Sequence, residues 1–222
     1  GGGVDRVFEV ASGVGGLLLR GLAIENGDVI TAVYDYGGGI KNAGGLSLRH
    51  VRIANNSAAG AGGIYNSGGL FMDDVLIESN YGDEGDGGIR NEAGTIEGIR
   101  VSIRYNAQSF EGTVGAALLS TGGAVELIDL FVDDTSVAGS GIANLAGTMD
   151  LRRGDLCAGS VIYNTGLLAI GQSTIQGCGT EGYGGVENYG DLLMEDVDFR
   201  GADVLGASGL LNYGTATVRG SL

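Results

Sequence analysis

Residues 37–48 read GGGIKNAGGLSL, residues 62–72 read GGIYNSGGLFM and residues 87–98 read GGIRNEAGTIEG. Set under one another, the three segments share one frame: a glycine pair, an apolar residue, an asparagine, a short turn and a second apolar stretch. The frame continues as GIANLAGTMDL (141–151), VIYNTGLLAI (161–170), VENYGDLLM (186–194) and LLNYGTATV (210–218). Its asparagine recurs as Asn42, Asn66, Asn91, Asn144, Asn164, Asn188 and Asn212, with Ser120 in the slot between Asn91 and Asn144. Successive spacings are 24, 25, 29, 24, 20, 24 and 24 residues. A fixed period in this range marks a repeat architecture in which each unit buries its apolar face only against its neighbours.

After each asparagine the pattern L-x-L-x-x-V-x-I follows, as Leu46, Leu48, Val51, Ile53 or Leu70, Met72, Val75, Ile77. Alternation within each half is the period of a half-buried strand, and the two-residue gap between halves reads as a bend. Each repeat thus supplies three short strands, G-I-x-N, L-x-L and V-x-I, and leaves no room for helices. The chain is expected to be all-β, a right-handed parallel β-helix of about nine coils with three strands per coil, over residues 1–222 as a single domain. The aligned asparagines would form a ladder of side-chain amides. A leucine-rich-repeat horseshoe would need a different asparagine frame. Ser12 is aligned with the ladder position of the first coil.

Composition agrees. Glycine contributes 46 residues and proline none, yet 43% of the chain is hydrophobic, which excludes collagen and sets it apart from disordered glycine-rich chains. The 27 Asp and Glu against 12 Lys and Arg give a net charge of −15, which repels nucleic-acid phosphates. No apolar run is long enough for a transmembrane helix.

The motif GGI at Gly38, Gly62 and Gly87 and I-x-x-N at Ile53–Asn56, Ile77–Asn80 and Ile103–Asn106 resemble the GGA[ILV] and FxxN repeats of polymorphic outer-membrane proteins and related secreted bacterial autotransporter passengers. Isoleucine stands here where that family has phenylalanine. The resemblance implies a secreted or cell-surface protein with adhesive or display roles.

The bend between L-x-L and V-x-I offers two outward positions per coil. These carry Arg20, Arg49 with His50, Asp73 with Asp74, Arg100, Asp129, Arg152 with Arg153, Gln172, Glu195 with Asp196, and Arg219. Near-alternating sign in such a column reads as a ladder that holds coil register, against the rival reading of a stripe that binds a polymer.

No catalytic residues are assigned. The adjacent acidic pairs Asp73-Asp74, Asp133-Asp134 and Glu195-Asp196 sit where neighbouring side chains diverge, whereas glycosidases need two carboxylates facing one another. Lys41 is the sole lysine and His50 the sole histidine. Only the stretches 27–36 and 108–114 exceed the regular repeat, too little loop for a groove. Asp83, Glu84 and Asp86 form the densest acidic loop and suit calcium by ligand type, but the segment matches no calcium motif and reads first as a solvated turn. No other cofactor is expected. Cys157 and Cys178 lie in neighbouring coils, offset by two positions, either bridged as a disulfide or separate. The tyrosines at 65, 163, 189 and 213 flank the ladder as an outward aromatic strip.

No capping helix is visible at either end, and residues before Ser12 and after Asn212 together make about one coil. The leading expectation is therefore a secreted or cell-surface structural protein, partnered with itself head to tail in a filament and able to adhere to glycans or a host surface. A carbohydrate-active lyase or hydrolase is the alternative, and a glycan-binding module a third reading.

Overall fold

The structure, a computed structural model, describes residues 5–30, 35–83, 86–108, 114–134, 140–158, 162–176, 185–200 and 209–221. It is a right-handed parallel β-helix. Every strand pair is parallel, and each strand pairs with its counterpart in the next coil.

One coil shows how the sequence makes the turn. Ile40–Asn42 points Ile40 and Asn42 inward and Lys41 outward. The chain then turns through Ala43 and Gly44 into the strand Gly45–Ala54, which buries Leu46, Leu48, Val51 and Ile53. The two halves of L-x-L-x-x-V-x-I are one continuous strand in this coil and the next two, Gly69–Glu78 and Thr95–Arg104, and again in Ala124–Asp134. The bend is a single residue in the left-handed region, at φ 51° for His50 and 56° for Asp74. That one residue shifts the alternation by one, so that Arg49 and His50 both face solvent and Val51 returns to the core.

A second left-handed residue, Asn55, ends the long strand and leads to Asn56, which is buried. The two-residue strand Ser57–Ala58 follows and begins a sheet that sequence periodicity did not resolve. Its strands Asp28–Val29, Ser57–Ala58, Tyr81–Gly82 and Ala107–Gln108 are too short to alternate visibly.

Among the described residues three sheets result, of nine strands (G-I-x-N), thirteen strands (L-x-L with V-x-I) and four strands. Their inner faces enclose one apolar column in which Ile40, Leu48, Ile53, Ile64, Met72 and Ile77 are fully buried. Each such side chain contributes about 1.5–3 kcal/mol by leaving water. The glycines after the asparagines serve close coil-to-coil approach: a Cβ on Gly190 would lie 2.2 Å from the carbonyl oxygen of Gly166, and one on Gly214 2.2 Å from that of Gly190.

The first coil corrects one alignment. Val10, not Ser12, pairs with Asn42. Val10 is 2% exposed while Ser12 lies outside the strand and is exposed; an apolar side chain therefore stands at the ladder position of the strand Phe8–Val10.

Candidate functional site

The outer face of the long-strand sheet carries most of the chain's paired charge. The register separates the charge column into two adjacent columns. One, in extended conformation, runs Arg20, Arg49, Asp73, Ile99, Ile128, Arg152, Gly171, Glu195, Arg219. The other holds the left-handed residues His50, Asp74, Arg100, Asp129, Arg153, Gln172 and Asp196, all with φ between 51° and 56°, and is flanked by Gly21 and Gly220 at φ 65° and 60°. A left-handed backbone normally selects glycine or asparagine. Here histidine, aspartate, arginine and glutamine occupy it, each at the bend between two strand segments.

Ion pairs run along the axis. His50 Nδ1 lies 2.7 Å from Asp74 Oδ2, and Arg100 pairs with Asp73 on the preceding coil. Arg153 donates two hydrogen bonds to Asp129, at 2.7 and 3.0 Å, and this guanidinium holds the Asp129 carboxyl below its usual range. Arg219 contacts Glu195 at 3.2 Å. Arg49 instead sits over the ring of Phe71, 5.8 Å from its centroid. Arg152 turns back along its own strand to Asp150. Beside it, where Gly171 offers no side chain, the face has a depression of about 320 Å³.

Two asparagine ladders run inside the coils. Asn42 Nδ2 donates to Asn66 Oδ1 at 2.7 Å, Asn66 to Asn91 at 2.8 Å, Asn144 to Asn164 at 2.9 Å, Asn164 to Asn188 at 2.7 Å and Asn188 to Asn212 at 2.7 Å. Second bonds from the same amides close the turn, as from Asn164 to Gly166 O. Ser120 interrupts the series: its hydroxyl donates to Gly122 O, and Asn144 Oδ1 is left buried without a partner. The second ladder consists of Asn56, Asn80 and Asn106. Asn80 Oδ1 accepts from both the backbone N–H and the side chain of Asn56, at 3.1 and 2.9 Å. The I-x-x-N motif marks these residues, but only the fold shows that they stack.

The acidic loop differs from a solvated turn. Asp86 is completely buried, in register with Ala61 and Gly37 of the preceding coils. Both of its carboxyl oxygens lack hydrogen-bond partners, and Arg90 Nη1 stands 3.7 Å away. Burial outweighs that cation and pushes the Asp86 carboxyl up to about 8. Asp83 accepts from Tyr81 Oη at 3.2 Å. Glu84 lies outside the described residues. Among the described residues no group of three or more His, Cys, Asp and Glu side chains could hold a metal.

Cys157 is disulfide-bonded; Cys178, the other cysteine of the chain, lies outside the described residues. The tyrosines form two clusters and not one strip. Tyr65 stacks on Tyr36 at 5.2 Å, and Arg90 covers the Tyr36 ring at 5.1 Å. Tyr163, Tyr189 and Tyr213 form the other, with Tyr189 and Tyr213 stacked at 4.8 Å. Between the clusters the same register position holds Leu119 and Ala143, both buried. The stacked rings cover faces of one another, while Tyr213, stacked only on Tyr189, stays exposed. Tyr189 Oη donates to Glu187 at 2.7 Å, and that bond, with burial, pushes its phenol up to about 12.

Among the described residues no helix is long and apolar enough to cross a membrane. Comparison with family models, curated proteins and solved structures finds no match to this chain.

Proposed function

We propose that the chain is a structural β-helix of a secreted or cell-surface protein, one that stacks end to end with copies of itself and presents adhesive contacts on its flank. The observation that carries this reading is the axial direction of its polar chemistry. Ladder asparagines accept from one coil and donate to the next, and the outer charges pair mainly between neighbouring coils. Such an array points head to tail, so a coil of one copy can continue the parallel sheets of another; heterologous contacts of this type do not close and produce filaments. The carboxylates Asp73, Asp129, Asp150 and Glu195 are each ion-paired with an arginine. That arrangement suits register-keeping more than proton transfer.

Negative-stain electron microscopy and sedimentation of the full chain over a wide concentration range test the assembly. Thin filaments are expected, with an axial repeat of about 43 Å for nine strands stacked at about 4.8 Å. A chain that stays monomeric at every concentration overturns end-to-end stacking. Release of sugar fragments from a polysaccharide panel overturns the purely structural reading.

A further inference from the structure

The charged face is interrupted at one place. Across three successive coils the outward positions read Asp150, Ala169, Leu193 in one column and Arg152, Gly171, Glu195 in the next. The middle coil therefore places only a methyl group and a hydrogen where its neighbours carry long side chains. A Cβ built on Gly171 would have its nearest neighbours at 3.9 and 4.0 Å, the Glu195 carbonyl oxygen and Arg152 Cγ, so the space above this backbone is open. The result is the depression of about 320 Å³, at the lower end of the range of small-molecule pockets, about 300–1,000 Å³. Its walls stand two strand spacings apart, about 10 Å.

The chemistry of the lining is mixed in a specific way. One wall holds Asp150 and Arg152, with the guanidinium oriented by Asp150 at Nε–Oδ1 3.0 Å. The opposite wall holds Glu195 and Asp196, with Glu195 oriented by Arg219. Arg152 and Glu195 feel one another across the gap, since the carboxylate favours the arginine cation. Gln172, an amide that both donates and accepts, closes one end. The floor is apolar, made by Ala169 and the side of Leu193, which is 37% exposed.

Acceptors, donors and a small apolar floor suit a ligand whose hydroxyls both donate and accept and whose ring C–H groups are apolar. Three carboxylates against Arg152 and the adjoining Arg219 leave the rim net negative, which disfavours phosphates and uronates. We infer that the depression over Gly171 binds one neutral saccharide unit of a surface glycan. The site uses the flank of the solenoid and does not depend on end-to-end stacking.

Isothermal titration calorimetry of the full chain with neutral trisaccharides of glucose, galactose and mannose, and with trigalacturonate, tests the site. At least one neutral sugar is expected to bind, with a dissociation constant on the order of 1 mM, and trigalacturonate about tenfold or more weaker. Gly171→Arg fills the slot with the side chain already carried in this column at Arg20, Arg49, Arg152 and Arg219, so the fold tolerates it. That variant is expected to melt like the parent and to lose the neutral sugar by at least about tenfold. Leu193→Ser, which removes the apolar floor at an exposed position, weakens it also. No binding by any of the three neutral sugars, or equal binding by parent and Gly171→Arg, overturns the site. Sedimentation of the same samples reads self-stacking separately, so failure of one reading is distinct from failure of the other.

Discussion

Ser120 shows how much one atom matters inside a ladder. Each asparagine in its column can accept from the coil before and donate to the coil after. Serine is too short to do both, and Asn144 Oδ1 is left unsatisfied in the interior. Ser120→Asn is expected to restore both steps and to raise stability by about 1 kcal/mol, read as a higher urea midpoint at unchanged slope; an unchanged or lower midpoint would show that the slot cannot hold the longer side chain. The converse change, Asn66→Ala, leaves one N–H of the Asn42 amide and the Oδ1 acceptor of Asn91 without their ladder partner, while Asn42 keeps its bond to Gly69 O. It is expected to cost about 2–3 kcal/mol, against little for an exposed threonine such as Thr95 on the following coil. Equal effects from the two would remove the ladder as a stabilising feature.

At the scale of the strand, the left-handed column decides which way side chains face. With φ near 51° and an uncharged side chain, Gln172 isolates the backbone contribution. Gln172→Val is expected to lose about 1–2 kcal/mol and Gln172→Gly to lose nothing, because a β-branched residue is disfavoured there and glycine is not. A valine variant as stable as the parent would mean that the bend relaxes to another conformation. The same column alternates charge through Asp74, Arg100, Asp129 and Arg153. Asp129→Lys places a cation between two arginines, and its melting temperature is expected to fall at low ionic strength and to recover most of the loss in about 1 M salt, where screening acts over about 3 Å. A loss independent of salt would assign the role of Asp129 to packing instead of charge.

At the scale of the whole molecule, a solenoid spreads its stability over repeated coil-to-coil contacts, and Asp86 is the point where one coil departs from that economy. Its carboxyl, raised to about 8 by burial, binds a proton more tightly in the folded chain than in the unfolded one, where it titrates near about 4. The contribution it makes is therefore present at low pH and is lost as pH rises from about 4 to about 8. Asp86→Ala, which installs the residue that Ala61 supplies one coil earlier, is expected to be the more stable chain at pH 8 by about 1–3 kcal/mol. The advantage should shrink or vanish near pH 4, and denaturant melts at the two pH values check it. A constant difference at both would mean that Asp86 is not proton-linked to folding. The parallel β-helix itself, its frame and the ladder positions from Asn42 to Asn212 were legible in the sequence, because a stacked coil must repeat the same inward residues at the same spacing. The alternation of Leu46, Leu48, Val51 and Ile53 even located the bend. Other features depended on contacts between residues 24 to 32 positions apart, which no local pattern encodes: Val10 and not Ser12 in the first coil's register, the stacking of Asn56, Asn80 and Asn106, and the pairing of Tyr36 with Tyr65. The burial of Asp86 in an acidic loop and the open slot over Gly171 belong with these. In each case the side chain's neighbours come from the coils on either side, and only the tertiary structure brings those coils together.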